Sequence, residues 1–216
     1  LSAAQAADTQ RTPVPKTPFD GHYLGVSLAG IAMHAEAPVL YGYEFTGVKG
    51  DGRGILGGVQ SGFNINTDGL VYGLETDLSA SNVSGEKKYY LTFNGNNYAA
   101  TLQSSLGALA TIRGRIGTVV ADAFIFATGG VALGLFEQKI DITSVGTDSS
   151  TKVAGGYALG GGVERSLGSG WSVKADYLFA GFERAYGTST VNNKLNIFRV
   201  GVNMKLGALP TRSAGR

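Results

Sequence analysis

The chain contains no cysteine, which excludes a disulfide framework, a thiolate metal site and a cysteine nucleophile. Histidine is also scarce: 2 residues in 216 give no basis for a site of several imidazoles, so we predict no metal and no cofactor. No apolar run reaches the roughly 18 residues that a transmembrane helix needs. Charged residues make up only 16 % of the chain, the net charge is +2, and the basic residues are scattered. That distribution argues against a nucleic-acid partner.

Glycine and aromatic residues are abundant instead. The chain has 34 glycines against 5 prolines, with 10 tyrosines and 10 phenylalanines, and its length suits one domain. Much glycine among aromatic residues is typical of β-rich chains with close strand contacts. Hydropathy alternates with a period of two along most of residues 19–206. The sequence therefore predicts an all-β protein.

The clearest predicted hairpin covers residues 54–83 and turns at 67–69, where Asp68 and Gly69 suit the positive φ angles of a tight turn. Both of its strands alternate between an apolar and a polar face. The apolar face carries Ile55, Val59, Phe63, Ile65, Tyr72, Leu74, Thr76, Leu78 and Ala80. The polar face carries Gln60, Gly62, Asn64, Asn66, Glu75, Asp77 and Ser79.

A second hairpin is predicted over residues 101–137, with its turn at 121–123. Its first strand places Leu106, Ile112 and Ile116 on one face and Arg113 and Arg115 on the other. The return strand, residues 124–135, is ambiguous, because Ile125, Val131 and Leu133 are apolar on the side expected to be interior.

A third hairpin is predicted over residues 153–181, with its turn at 167–170, and strands at 21–32 and 195–206 bring the number to eight. The apolar faces of the third hairpin and last strand carry Tyr157, Leu159, Val163, Trp171, Val173, Ala175, Tyr177, Phe179, Phe198, Val200, Val202 and Met204. Their opposite faces carry Gly160, Gly162, Glu164, Ser172, Lys174, Asp176, Arg199, Gly201, Asn203 and Lys205.

The connections alternate in length. Short turns are predicted near Asp68, Asp122 and Ser169, and long loops near 33–53, 84–99, 138–152 and 183–194. Outer-membrane barrels show this asymmetry, with short periplasmic turns and long external loops. An even number of strands then leaves both termini on the periplasmic side. The prediction is an eight-stranded antiparallel up-and-down transmembrane β-barrel.

A soluble barrel would point its apolar face inward, and three features favour the reverse. The predicted strands have about 10 to 13 residues, near the length that crosses a membrane. The charged face is rich in glycine, as a narrow filled interior requires: Gly62, Gly73, Gly107, Gly117, Gly160, Gly162 and Gly201. Aromatic residues lie near strand ends, where interface girdles occur: Phe63, Tyr72, Phe124, Phe126, Trp171, Phe179 and Phe198.

The charged face then lines the barrel interior, where an isolated charge costs several kcal/mol and must be paired. The predicted network is Glu75, Asp77, Glu164 and Asp176 with Arg113, Arg115, Lys174, Arg199 and Lys205. Because the interior of an eight-stranded barrel is just wide enough to be filled by side chains, this network predicts a plugged lumen with no open pore, or only a narrow one.

Several stretches resemble the porin-like outer-membrane β-barrel family of alphaproteobacteria, which includes surface antigens and relatives reported to bind haemin. They are GGVQSGFN at 57–64, GLETDLSAS at 73–81, IRGRIG at 112–117, ATGGVA at 127–132, GGGVE at 160–164, WSVKADYL at 171–178 and FRVGVN at 198–203. The resemblance implies an outer-membrane location and an eight-stranded barrel, and it implies no catalytic residues. Such proteins commonly end on the last strand with an aromatic residue, whereas here residues 207–216 follow it.

The ends of the chain are predicted to lie outside the barrel. Residues 1–6 are interpreted as the remnant of a signal peptide, because Ala4-Gln5-Ala6 fits a cleavage site. Residues 7–18 contain three prolines and are predicted to be a periplasmic arm. Residues 19–206 form the barrel and residues 207–216 a flexible tail.

Catalysis is not predicted, because neither His22 nor His34 has an evident serine or carboxylate partner. The loops offer binding candidates, namely His34, Tyr41, Tyr43, Phe45, Lys87, Lys88, Tyr89 and Tyr90. These residues could contact a protein, haemin or sugars, with His34 and Tyr41 or Tyr43 as haem ligands by family analogy. Packing on the barrel rim or at lipid headgroups is the simpler interpretation.

Three functions are compatible with these features. The first is a structural outer-membrane barrel that supports the envelope and displays surface loops. The second is a surface binding protein or adhesin, and the third is a narrow passive pore. The predicted partners are outer-membrane lipid and lipopolysaccharide, with a periplasmic or surface protein as a further candidate and a monomer as the favoured state.

Overall fold

The structure is a computed structural model that describes residues 17–37, 48–93, 96–142, 146–186 and 189–206. These residues form eight strands: β1 (Gly21–Ala37), β2 (Val48–Thr67), β3 (Leu70–Phe93), β4 (Asn96–Val120), β5 (Ala123–Ile142), β6 (Gly146–Gly168), β7 (Trp171–Tyr186) and β8 (Ser189–Lys205). Each strand pairs antiparallel with the next, and β8 pairs with β1, so the sheet closes into a barrel. The predicted fold class is confirmed. None of the described residues forms a helix long and apolar enough to cross a membrane.

Three two-residue turns join strands at one end of the barrel, which we call the short-turn end. Asp68-Gly69, Ala121-Asp122 and Ser169-Gly170 have positive φ at both positions. This is the type I′ pattern, whose twist matches that of the flanking strands. The start of β1 and the end of β8 lie at the same end, since Tyr23 pairs with Lys205.

At the opposite, long-hairpin end, the strands continue far beyond the predicted bounds. They run from 16 to 25 residues, and β3 and β4 stay paired as far as Phe93 and Asn96. The prediction of long loops at 33–53, 84–99, 138–152 and 183–194 is therefore wrong for most of these residues, which lie in strands. Polar residues and glycine are frequent in these ranges, so the sequence pattern does not distinguish a strand from a loop.

A β-bulge in β4 corrects two further predictions. The pairing of β4 with β5 passes from Leu106–Phe136 to Ala108–Leu135, which leaves Gly107 as the extra residue. The extra residue reverses the alternation. Leu106 is therefore buried inside the barrel rather than on the apolar outer face, and Gly107 is exposed rather than interior.

The outer face is an apolar band. On β5 it includes Ile125, Val131 and Leu133, which resolves the ambiguity of that strand, while Phe124 and Phe126 point inward and so do not belong to the predicted girdle. Beyond the band, toward the long-hairpin end, outward positions become polar on seven strands: His34, Arg53, Asn82, Ser105, Glu137, Thr151 and Lys194. The outward surface thus changes character along the barrel axis, as at the edge of a membrane.

The interior is layered. Nearest the short-turn end lies an aromatic cap of Phe19, Val71, Phe124 and Phe126. A charged layer follows. The layer nearest the long-hairpin end, which we call the apolar layer, comprises Ala29, Ile31, Met33, Leu56, Val83, Leu106, Leu109, Ala132, Phe136, Ala154, Ala158, Leu178, Ala180, Phe182, Leu195 and Ile197. The expectation of an interior lined mainly by charge and glycine is wrong for this part of the barrel.

Candidate functional site: the charged layer of the lumen

The charged layer consists of eight buried side chains that the alternation of the strands turns inward. They are Glu75 and Asp77 on β3, Arg113 and Arg115 on β4, Glu164 on β6, Lys174 and Asp176 on β7, and Arg199 on β8. Four carboxylates therefore face four cations, and the layer is electrically neutral as a set. The structure brings together all of the predicted network residues except Lys205.

Glu75 lies at the centre of the layer. Its Oε1 accepts hydrogen bonds from Arg113 Nη2 at 2.6 Å and Lys174 Nζ at 2.9 Å. Its Oε2 accepts from Lys174 Nζ at 2.7 Å, Tyr23 OH at 2.7 Å and Arg115 Nη1 at 3.1 Å. A buried carboxylate is tolerated when its oxygens are satisfied in this way. Glu75 thus joins donors from β1, β4 and β7 across the lumen.

One group of contacts extends from Glu75 toward the long-hairpin end. Arg199 donates to Asp176 from Nε at 3.1 Å and from Nη2 at 2.7 Å, a two-pronged geometry. Asp77 Oδ2 accepts from Arg113 Nη2 at 2.8 Å, and Arg199 Nη1 lies 3.3 Å from it. Thr111 also donates to Asp77, at 2.5 Å. These contacts tie β3, β4, β7 and β8 together.

A second group extends toward the short-turn end and is centred on Glu164. This carboxylate accepts from Arg115 Nη2 at 2.6 Å, Ser172 Oγ at 2.6 Å and Asn203 Nδ2 at 2.7 Å. Gln60 connects the two groups, since its Oε1 accepts from Lys174 Nζ at 3.0 Å and its Nε2 donates to Asn203 at 2.5 Å.

Arg115 is also enclosed by aromatic rings. Its guanidinium carbon lies 4.1 Å from the ring centroid of Phe126 and 5.1 Å from that of Phe124. Its Nε has no hydrogen-bond acceptor among the described residues. The cation–π contact with Phe126 stabilises the charge in place of that bond. The aromatic cap therefore acts on the charged layer electrostatically as well as by excluding water.

The cap is completed by the segment that precedes β1. Thr17 and Asp20 close a tight turn, in which Thr17 N and Oγ1 donate to the Asp20 carboxylate at 2.9 and 2.8 Å. This turn directs Phe19 into the mouth, where its ring centroid lies 5.7 Å from that of Phe124. Asn64 Nδ2 donates to the Phe19 carbonyl at 3.1 Å.

Lys205 does not join the charged layer. It is half-buried at the short-turn end, and its Nζ lies 3.5 Å from the carbonyl oxygen of Pro18. As the last residue of β8, it reaches the rim of the barrel rather than the interior. The sequence predicted that Lys205 faces inward, but not how far along the barrel axis it lies.

Glycine makes room for the layer. A Cβ added at Gly62 would clash with the hydroxyl oxygen of Tyr23, and one at Gly25 would meet Asn203. Since Tyr23 OH bonds Glu75 and accepts from Arg115 at 2.5 Å, a side chain at residue 62 would displace part of the network. Gly62, which was predicted on the inward face, and Gly25, which was not, therefore leave room for the long polar side chains of the layer.

Several members of this site were not predicted from the sequence. The predicted network does not include Tyr23, Thr111 or Phe19, and Gln60, Ser172 and Asn203 were assigned only to the inward face. Strict alternation from Gly21 onward would have placed Tyr23 inside. No sequence pattern indicates that Phe19, which precedes the strand, enters the mouth.

The other predicted site residues are dispersed. His34 lies in β1, paired with Asp51 and Lys194, rather than in a loop, and its side chain is exposed. The range 87–90 lies in β3, paired with residues 99–102 of β4, rather than in a loop. Tyr41, Tyr43 and Phe45 fall outside the described residues, so haem ligation stays a prediction. His22 is exposed, with its ring centroid 4.5 Å from that of Phe63.

Comparison with known proteins identifies relatives. The 31 kDa outer-membrane immunogenic proteins of Brucella melitensis and Brucella suis are each 29 % identical over 166 residues, which cover 70 % of this chain and 66 % of theirs. The 22 kDa outer membrane protein of Rhizobium leguminosarum is 26 % identical over 131 residues, or 60 % of this chain and 54 % of that protein. The chain is a homologue of alphaproteobacterial outer-membrane proteins. The predicted resemblance is confirmed, although the chain spans only about two thirds of its Brucella homologues. No protein-family model matches the chain.

Solved structures with similar folds are more distant. The attachment invasion locus protein Ail of Yersinia pestis has a TM-score of 0.42 at 11 % identity and covers 86 % of this chain and 99 % of its own. Outer membrane protein AlkL has a TM-score of 0.43 at 11 % identity, covering 93 % and 98 %. The assignment to the outer membrane rests on the alphaproteobacterial homologues, and it identifies the apolar band as the lipid-facing surface.

Proposed function

We propose that this homologue is a structural outer-membrane barrel whose lumen is closed by the charged layer, and that it supports the envelope rather than passing solutes. The observation that supports the proposal most directly is the neutral set of four carboxylates and four cations, all buried, that bridges the lumen through Glu75. Apolar residues lie on both sides of this layer. A solute would have to break buried ion pairs and cross layers of apolar side chains, each of which is costly.

The orientation belongs to the same proposal. We place the short-turn end in the periplasm and the long hairpins outside the cell, as outer-membrane barrels usually lie. Polar outward positions such as Arg53, Asn82 and Lys194 mark where the hairpins leave the membrane. The name of the Brucella relatives, outer-membrane immunogenic protein, suits a chain that displays its hairpins at the surface.

Recording from planar bilayers tests whether the lumen is closed. The refolded protein, whose insertion is checked by heat-modifiable gel mobility, is expected to give no stable conductance steps. Large and lasting steps from the unmodified protein would contradict the closed barrel and favour the narrow-pore alternative.

A further inference from the structure

The lipid-facing surface carries a groove of about 570 Å³ over β1, β2, β3 and β8. Its floor is formed by Ser61 and Thr76, which pair directly across β2 and β3. Larger side chains stand around this floor, namely Leu24, Val26, Val59, Leu78, Val202 and Met204. Trp171 of β7, which pairs with Met204, closes the groove toward the short-turn end.

The two hydroxyl groups of the floor have hydrogen-bond acceptors within the protein. Ser61 Oγ lies 3.4 Å from the carbonyl oxygen of Tyr23 and donates to it, and Thr76 Oγ1 donates to the carbonyl of Ser61 over the same distance. Both hydroxyls are thereby directed to the backbone, so the groove presents carbon atoms to its contents. An apolar concavity of this size is within the range of small-ligand sites, roughly 300 to 1,000 Å³.

The shape favours a hydrocarbon chain over a second copy of the protein. Contacts between membrane proteins are commonly made where small residues let two backbones approach closely. Here the small residues Ser61 and Thr76 are recessed between larger side chains such as Leu24 and Leu78, so a second barrel wall would be held away from them. A flexible chain only one carbon wide can still reach the floor.

The rim nearest the short-turn end suits a lipid headgroup. His22 is exposed there, with its ring tilted against that of Phe63, and Trp171 lies beside the groove. Aromatic side chains of this kind are typical of the membrane–water interface. A lipid would therefore place its headgroup near His22 and its chain along Ser61 and Thr76.

We propose that the groove binds one acyl chain of a phospholipid from the leaflet at the short-turn end. The choice of a phospholipid rather than lipopolysaccharide rests on the proposed orientation, in which this end faces the periplasm. The binding site itself depends only on the outer-membrane location and is independent of whether the lumen is closed.

The fluorescence of Trp171 can report lipid binding in the groove, because Trp171 lines the groove and the sequence contains one tryptophan. Phosphatidylethanolamine with brominated acyl chains quenches tryptophan fluorescence on contact. In mixed detergent micelles, the full chain is expected to show quenching that saturates at a low mole fraction of this lipid. In Ser61→Leu/Thr76→Leu, which fills the floor, we expect half-saturation to need at least a fivefold higher mole fraction.

A matched control fills small lipid-facing positions away from the groove. Thr118→Leu/Ala127→Leu makes the same kind of change on β4 and β5, at positions that pair with no groove residue, and is expected to quench like the unmodified chain. Folding of each variant is checked by heat-modifiable gel mobility. If the double groove variant does not fold, Ser61→Leu and Thr76→Leu singly give the same comparison with smaller shifts.

Three results would overturn the proposal. Quenching of the unmodified chain that rises in proportion to lipid, or that is the same in the groove variant, would show only bulk lipid contact. A cross-linked dimer that the groove variant abolishes would assign the groove to a second copy. Displacement of the brominated lipid by lipopolysaccharide at lower mole fractions than by phosphatidylethanolamine would reverse the orientation while leaving the conductance test unaffected.

Discussion

At the scale of single residues, the charged layer depends on a few groups that each satisfy several partners. Glu75 is 1 % exposed and receives hydrogen bonds from Tyr23, Arg113, Arg115 and Lys174. No carboxylate–cation pair of this layer can be treated as isolated, because removing one partner leaves the others buried and uncompensated. The change in the free energy of unfolding caused by a substitution here therefore depends on which charged partners are left buried without a counter-charge.

Glu75→Gln is expected to lower the free energy of unfolding by about 3 to 5 kcal/mol, the range for breaking a buried ion pair from one side. Lys174, Arg113 and Arg115 would keep their charges but lose the anion between them. Urea unfolding of protein refolded into lipid vesicles measures the change.

The matched control for that variant is Asp68→Asn. It makes the same carboxylate-to-amide change at an exposed turn residue with φ of 53°, a conformation that asparagine tolerates. We expect a change within about 0.5 kcal/mol, as for ordinary surface substitutions. Equal losses in the two variants would show that the Glu75 contacts contribute nothing specific to stability.

Much of this residue-level arrangement could be predicted from the sequence. Alternation placed Glu75, Asp77, Arg113 and Arg115 on one face, and the cost of burying charge implied that they pair. The alternation does not indicate how far along the axis a residue lies. Lys205 was therefore grouped with the network, although it lies at the rim beside Pro18.

At the scale of elements, the three tight turns differ in how well their residues suit the positive φ angles of a type I′ turn. Asp68-Gly69 and Ser169-Gly170 each include a glycine, which adopts positive φ without strain. Ala121-Asp122 does not, and Ala121 has φ of 47°. A left-handed conformation costs a residue with a Cβ about 1 to 2 kcal/mol, and alanine has no side-chain hydrogen bond to offset it.

Replacing Ala121-Asp122 by Asn-Gly, the preferred type I′ pair, is expected to raise the free energy of unfolding by about 1 kcal/mol. Urea unfolding in vesicles again measures the effect. As a control, Gly69→Ala introduces a Cβ at φ of 86° and is expected to lower stability by at least as much. A gain from Gly69→Ala, or a loss from the Asn-Gly turn, would contradict this account of the turns.

The sequence pattern did not locate the ends of the strands or the bulge in β4. Beyond the apolar band, the sequence no longer alternates regularly between apolar and polar residues, which is the pattern that identifies a strand. The bulge at Gly107 could not be predicted, because one inserted residue reverses which face of the sheet the following side chains occupy without changing the composition. Strict alternation would place Leu106 on the same outward face as Ile112. The bulge turns Leu106 inward instead, and it is buried.

At the scale of the whole molecule, two successive layers fill the interior between the aromatic cap and the long hairpins. The charged layer lies toward the short-turn end, and the apolar layer, with Phe136 and Phe182 in edge-to-face contact at 5.3 Å between ring centroids, lies toward the long hairpins. In the closed barrel that we propose, a solute would have to cross both layers. The sequence predicted the charged layer but not the apolar layer, although most residues of the apolar layer lie within the predicted strands, because apolar residues there face both inward and outward.

The two layers predict a characteristic pattern of conductance. Glu75→Ala/Lys174→Ala removes an anion and a cation together and keeps the layer neutral, yet the apolar layer should keep the barrel closed. Phe136→Ala/Phe182→Ala should likewise remain closed, because the charged layer is intact. Only a variant that combines both pairs of substitutions with Phe19→Ala, which opens the aromatic cap, is expected to give stable steps in planar bilayers. Steps of equal size from either double variant would show that one layer alone closes the lumen.

The position of Phe19 also has a consequence for how the barrel reaches its final state. The contacts that receive this residue come from Asn64 on β2, Val71 on β3 and Phe124 and Phe126 on β5, all of which follow it in the chain. Because the strands that hold Phe19 are far apart in the sequence, the segment 17–20 can complete its contacts only once β2, β3 and β5 have assembled around the mouth.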